Sequence, residues 1–348
     1  VQSLPKAHLH LHFTGSMRPA TLLALAEKHR LPLPEALTRS WPPTLSATDE
    51  RGWFRFQRLY ETARACVRDQ EDMRRIVREA AVDDAAEGSR WLEIQVDPTS
   101  YAPFVGGITP ALEIILDEAR SASREVGIGV AVVVAANRVR HPLDARTLAR
   151  LAVRYAGDGP GQVVGFGLSN DERRGSTADF AAAFDIAHRA GLACVPHGGE
   201  LLGAAAVAET LTALDPDRLG HGIRSVEDPA VLAEVVRRGV TLEVCPGSNV
   251  ALGVYEGDEK VPLRQLMEAG AQIALGADDP LLFGSRLNAQ YEKAREVHGL
   301  SDAELAELAR GSVRGSRAPE PLRNQILADI DLWLASDVDV LDATAPAQ

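Results

Sequence analysis

Cysteine is almost missing from this 348-residue chain: Cys66, Cys194 and Cys245 stand far apart, with no CxxC pair. So sparse and odd a set excludes a disulfide framework and points to a reducing compartment. Lysine is scarce as well, with Lys6, Lys28, Lys260 and Lys293 the only four among 37 basic side chains. That arginine bias, beside plentiful alanine, glycine and valine, suggests a bacterial source with GC-rich codons. Long apolar runs are lacking. The longest, Val126–Ala136, is too short to cross a bilayer. The N-terminus shows no basic stretch leading into an apolar one, so a cytoplasmic protein without a membrane partner is expected. Positive charge is in deficit, 37 Lys+Arg against 49 Asp+Glu for a net −12. Such a surface repels phosphate backbones, and no nucleic-acid partner is expected.

What is present is an ordinary globular composition, 45% hydrophobic and 25% charged, in a chain long enough for one large α/β barrel. Short apolar or β-branched runs mark strands at Ala7–Phe13, Arg90–Val96, Gly127–Ala136, Gln162–Leu168, Leu192–Pro196, Arg218–Gly220, Val240–Val244 and Gln272–Leu275. Amphipathic segments separate them, among them Pro19–Arg30, Glu71–Glu87, Pro110–Val126, Leu143–Tyr155, Thr177–Ala190, Pro229–Arg238 and Leu263–Ala269. Strands alternating with helices in this way predict a (β/α)8 barrel. A doubly wound sheet is the alternative, but its first strand usually ends in a glycine-rich phosphate turn; here it ends in histidines. The proline-rich stretch Leu31–Val67 breaks the rhythm and carries Trp53, Phe54, Phe56 and Tyr60 at roughly helical spacing. It reads as a helical insertion over the barrel mouth after strand one, with a plain packing face as the competing reading. Residues 1–335 are expected to form one domain and 336–348 a flexible polar tail.

Polar and metal-competent residues fall at the C-terminal ends of the expected strands: His10 and His12, Asp97, Arg138, His197 and Glu200, His221, Asp278 and Asp279. In a barrel these ends converge on one face, where such folds place their chemistry. Residues i and i+2 of a strand share a side, so His10 and His12 can reach one ion, and His8 has the same parity. Two of these, a third histidine from a later strand and one of the Asp278–Asp279 pair make an N3O set suited to zinc. Such a set leaves a position for water, hence hydrolysis. Glu200, on a turn leaving the strand of His197, is placed to move protons. His29, His141, His188 and His298 sit in helical patterns or a loop and read as packing or solvated residues.

Five stretches, in order along the chain, resemble the adenosine deaminase family within the wider metal-dependent amidohydrolases. They are Pro5–His12, Pro196–Glu200, Leu219–Gly222, Leu242–Asn249 and Gly276–Gly284. The resemblance implies one zinc per chain, held by His10, His12, His197 and Asp278. It implies hydrolytic removal of the 6-amino group of adenosine, giving inosine and ammonia. By it, Glu200 protonates the ring nitrogen beside C6, while His221 and Asp279 orient and deprotonate the water. His12, Thr14, Asn170, Gly199 and Asp279 face the substrate. Some relatives bridge two metals with a modified lysine on strand four; no lysine lies between Lys28 and Lys260, which excludes that variant.

Departures from the family pattern bear on the substrate. Thr14 stands where the family carries an acidic residue that accepts from the ribose 5′-hydroxyl, and His8 stands where an acidic residue is usual. Asn170 replaces a glycine whose amide meets the purine, and Gly167 replaces an acidic residue. The leading expectation is adenosine. The alternatives are a 5′-modified adenosine of the aminodeoxyfutalosine kind, free adenine, or a catalytically silent member that binds nucleosides.

Overall fold

The computed structural model describes residues 1–342. Eight strands, β1 (Lys6–His12), β2 (Ser89–Val96), β3 (Gly129–Asn137), β4 (Val163–Ser169), β5 (Ala193–Gly198), β6 (Arg218–His221), β7 (Thr241–Val244) and β8 (Ile273–Leu275), lie in chain order. All neighbours pair in parallel, and helices fill the connections. The protein is a (β/α)8 barrel. Every strand is within two residues of its expected bounds, because strands buried on both faces must read as short apolar runs. Val130–Val134 of β3, wholly buried, is the clearest case.

The ring closes beyond the short β8. The His12 N–H donates to the Asp278 carbonyl at 3.0 Å, and the Asp278 N–H donates to the His10 carbonyl at 2.9 Å. Closure therefore places Asp278 beside both histidines. At two points glycine is required by this crowding: a Cβ on Gly220 would lie 2.9 Å from His197 Nδ1, and one on Gly276 would lie 2.6 Å from the His10 Cβ.

Helix α1 (Pro19–His29) follows β1, and α2 (Glu50–Arg64) forms the expected insertion, started by the Asp49 carboxylate accepting from the Gly52 N–H at 2.6 Å. Trp53 and Phe56 are buried while Phe54 faces solvent. Phe56 stacks on Phe283 with ring centroids 5.8 Å apart. The aromatic stripe is thus packing and cover at once. Helix α3 (Gln70–Ala86) begins with a capping box of Asp69 and Asp72.

Part of the stretch from Ser336, expected as a tail, lies within the described residues. The last helix runs Glu320–Asp342 and so covers residues 336–342, with no glycine or proline after Pro321 to interrupt it there. Residues 343–348 lie outside the described residues. Among the described residues no helix is long and apolar enough to cross a membrane.

Candidate active site

Strand ends of β1, β5 and β6 and the turn after β8 bring His10, His12, His197, His221, Asp278 and Asp279 to one buried cluster. His12 Nε2 lies 3.3 Å from Asp278 Oδ1 and 3.3 Å from His197 Nε2; His10 Nε2 lies 3.6 Å from Asp278 Oδ1. A tetrahedral zinc with bonds of about 2.0–2.1 Å keeps its donors about 3.3–3.4 Å apart, so these spacings fit one such ion. His10 Nε2 is buried with no hydrogen-bond partner, which a cation would supply.

Three of the four imidazoles are held toward the neutral form. Burial lowers the pKa of His12 to about 4 and that of His221 to about 3, and pushes His197 well below the usual range. Burial acts downward on His10 as well, but hydrogen bonds to Asp278 and Glu243 outweigh it and raise the pKa to about 10. A cation held at Nε2 would take the place of the second proton on that ring. The carboxyls divide. Burial acts to raise Asp278, but His10 and the neighbouring imidazoles hold it well below the ordinary value. Burial, with the Asp278 charge behind it, pushes Glu200 and Asp279 well above theirs. Neighbouring carboxyls pushed in opposite directions are the arrangement of acid–base sites.

Glu200 follows β5 in a loop clamped by a carboxylate that the sequence did not single out for this work. Glu172 accepts from the N–H groups of Gly199, Glu200, Leu201 and Leu202 at 2.6, 2.9, 2.5 and 3.1 Å. His221 Nε2 stands 3.6 Å from Glu200 Oε1, opposite β5 because Gly198 pairs with His221 in register. Arg138, at the end of β3, donates to the His197 carbonyl at 3.0 Å and to Thr177 at 2.9 Å, bracing β5.

A cavity of about 60 Å³ faces this cluster, lined by His12, Asn170, His197, Glu200, His221, Asp278 and Asp279 and covered by Trp53, Phe56, Gln57, Tyr60 and Arg64 of α2. Asn170 holds a positive φ of 83° and turns its side-chain oxygen onto the Asp171 N–H at 2.7 Å, a conformation asparagine tolerates. Gly199 does not line the cavity, and its N–H is taken by Glu172. Thr14 lines a smaller adjoining recess, its hydroxyl 2.5 Å from that of Tyr101. Asp97 lines both spaces and accepts from the Thr99 N–H and hydroxyl at 2.9 and 2.6 Å.

His8 stands apart, although strand parity groups it with His10 and His12. The pairing of β1 with β2 shifts register between His8 and Leu11. Its Nε2 accepts from the Ala277 N–H at 3.0 Å, so its Nδ1 donates to Asp84 at 3.0 Å. The four remaining histidines are also outside the cluster; His29, for example, meets Asp72 at 2.7 Å on the outer surface of the barrel.

The deepest support runs under His10. Its Nδ1 is 2.7 Å from Glu243 Oε2; Glu243 Oε1 accepts from Arg218 at 2.6 Å, and Arg218 donates to Glu93 at 2.5 Å. Glu93 in turn accepts from Trp91 Nε1 and the Arg317 N–H. Glu243 lay within a recognised motif with no role attached; Glu93 and Arg218 carried no signal beyond being charges in apolar strands.

A parallel barrel with a histidine–aspartate cluster at its mouth and further carboxyls beside it defines a hydrolase of the amidohydrolase class. Residues 5–333 match the family described as adenosine deaminase, and the chain belongs to that family. A Streptomyces coelicolor protein with the provisional name adenosine/adenine deaminase is 65% identical over 97% of this chain and 98% of its own length. An adenine deaminase of Rhizobium leguminosarum bv. trifolii is 33% identical over 93% of this chain and 98% of its own. Among solved structures, the adenine deaminase of Arthrobacter aurescens superposes with a TM-score of 0.86 at 26% identity, over 96% of this chain and all of that one, 100%. The protein is a deaminase of the adenosine/adenine type.

Proposed function

We propose that the protein removes the 6-amino group of a 6-aminopurine with one zinc ion per chain, held by His10, His12, His197 and Asp278. Bound zinc supplies a water acidified to a pKa near ~7, and thus a nucleophile at neutral pH. The protein's own groups do the rest. Glu200, held in place by Glu172, gives its proton to the ring nitrogen beside C6 and makes that carbon electrophilic. His221 and Asp279, the latter in its carboxylate form, orient the attacking water, accept its proton and pass it to the amine, which leaves as ammonia. The observation that supports this reading is the convergence of an N3O donor set with Glu200, His221 and Asp279 in one buried cavity.

Adenosine is the first substrate to test. A nucleoside altered at its 5′ end, or free adenine, is favoured by one observation: Thr14, in the position of the family's acidic residue, spends its hydroxyl on Tyr101. The test is ammonia release by zinc-loaded protein from adenine, adenosine, AMP and 5′-substituted adenosines, with Glu200→Gln beside the wild type. The variant should bind zinc equally and turn over ~10²–10⁴-fold more slowly. Full activity in Glu200→Gln overturns the proton-transfer role. No ammonia from any 6-aminopurine makes the protein a silent binder.

A further inference from the structure

His8 and Asp84 have no place in the donor set or the proton transfers, yet both are sealed in where the barrel closes. Only 1% of the His8 side chain and 3% of that of Asp84 are exposed. Burying an imidazole with a carboxylate costs desolvation that only good contacts offset. The contacts lead to the metal cluster. Strands β1 and β8 meet at an isolated bridge, Leu11 with Asp278, made by the His12 and Asp278 N–H bonds of the closing ring. The Ala277 N–H, one residue earlier, goes instead to a side chain, His8 Nε2 at 3.0 Å.

The His10 carbonyl lies 3.1 Å from the same nitrogen and offers it the opposite role, that of donor. That oxygen already accepts from the Asp278 N–H at 2.9 Å, whereas the Ala277 N–H has no second acceptor among the described residues. Asp84 settles the choice. Both of its carboxylate oxygens stand 3.0 Å from Nδ1, so the ring proton sits there and Nε2 accepts.

Asp278 needs such support. Its φ of 61° lies in the left-handed region, which costs energy for a residue with a side chain and persists only when its surroundings enforce it. In this turn its carboxylate reaches within 3.6 Å of His10 and 3.3 Å of His12. Two of the bonds that hold the turn come from the β1 backbone and survive any substitution there. The third is the His8 side chain. The approach leaves little slack, since a Cβ on Gly276 would also stand 3.1 Å from Cys245 Sγ. We propose that His8, its proton fixed by Asp84, is a positioning residue for Asp278. It holds the Ala277 peptide so that Asp278 keeps the left-handed turn and presents its carboxylate to the metal. Asp84 thereby ties helix α3 to the metal centre. This inference rests on the zinc-ligand role of Asp278 in the proposed function and adds two residues to it.

The experiment uses the full chain and three readouts. They are zinc affinity by competition with a chelator, the visible bands of the Co²⁺-loaded form, and the thermal midpoint of the metal-free protein. The variants are His8→Ala, His8→Gln, Asp84→Asn, Asp84→Asn combined with His8→Gln, and Asp278→Ala as reference. His8→Ala leaves the Ala277 N–H without an acceptor. It should weaken zinc by ~10–100-fold, the usual cost of losing a partner behind a metal ligand, and shift the cobalt bands, which follow coordination geometry. His8→Gln brings an amide oxygen near the place of Nε2 and should restore most of the affinity. An amide in Asp84→Asn can donate to Nδ1 and let the ring proton move to Nε2. That change should weaken zinc severalfold beside His8 and have no effect beside His8→Gln, where there is no tautomer to fix.

Unchanged zinc affinity and cobalt bands in His8→Ala, with only the midpoint of the metal-free protein lowered, would make His8 a purely structural residue and overturn the inference. So would a His8→Gln variant as weak as His8→Ala, or an Asp84→Asn effect equal in both backgrounds. If Asp278→Ala binds zinc as tightly as the wild type, the proposed ligand set falls and this inference with it. If Asp278→Ala loses zinc while His8→Ala keeps it, the positioning role alone falls. Should His8→Ala fail to fold, His8→Gln and Asp84→Asn, which keep side-chain volume, carry the same comparison.

Discussion

His10 rests on Glu243, Glu243 on Arg218, and Arg218 on Glu93, all of them buried inside the barrel. The carboxylate fixes the ring's tautomer and orientation, leaving Nε2 directed at the donor cluster. Glu243→Gln should weaken zinc binding by ~10–100-fold, read by competition with a chelator. An unchanged affinity would assign Glu243 to the barrel core alone. At this scale the sequence was informative wherever chemistry follows from local spacing. His10 and His12 could be paired from strand parity; His8 could not be separated from them, because a register shift is a property of two strands together. Glu93 and Arg218 were silent for a similar reason. Each looks costly in an apolar strand until the partner across the barrel is known.

Strands β4 and β5 meet the active site through the loops that leave them, and Glu172 joins those loops by its grip on residues 199–202. His197 belongs to the strand itself, paired with Gly220 and braced by Arg138. The two functions of that strand end should therefore come apart. Glu172→Ala should cut kcat by ~10²-fold through displacement of Glu200 while zinc stoichiometry stays at the wild-type level. Simultaneous loss of both would mean that the loop also holds the metal cluster. The aromatic spacing of α2 was readable as an amphipathic helix, and its place after β1 suggested a cover. Which face it turns inward depends on Phe283, more than two hundred residues later, and no local pattern encodes that. Residues 336–342 read as polar and aperiodic in sequence, yet they continue the last helix, Glu320–Asp342.

The whole barrel has opposite demands at its two ends. The mouth concentrates ionisable groups, and at the start of β1 Lys6 is sealed in, donating to the Leu4 carbonyl at 2.8 Å with Tyr291 5.2 Å away. Burial lowers its pKa from the ordinary 10.5 to about 7, against the attraction of Glu87 and Asp84. Between those values the unfolded chain binds more protons than the folded one, so this group makes stability rise with pH from about 7 to about 10 and leaves it flat below 7. Lys6→Met should remove that rise, worth on the order of a few kcal/mol, as measured by denaturant midpoints at both ends of the window. Parallel pH slopes in the two proteins would show that Lys6 keeps its proton when folded.

The central claim is that water replaces the amine at C6 of a purine, in the cavity where His12, Glu200, His221 and Asp279 converge. Its most direct test is the mass spectrum of the purine product formed by zinc-loaded protein in ¹⁸O-enriched water. The account predicts a 6-oxopurine bearing one heavy oxygen, with ammonia released in equal amount, and no such product from Glu200→Gln on the same timescale. A 6-oxopurine without the heavy oxygen, or a 6-aminopurine recovered unchanged in every case, would contradict it.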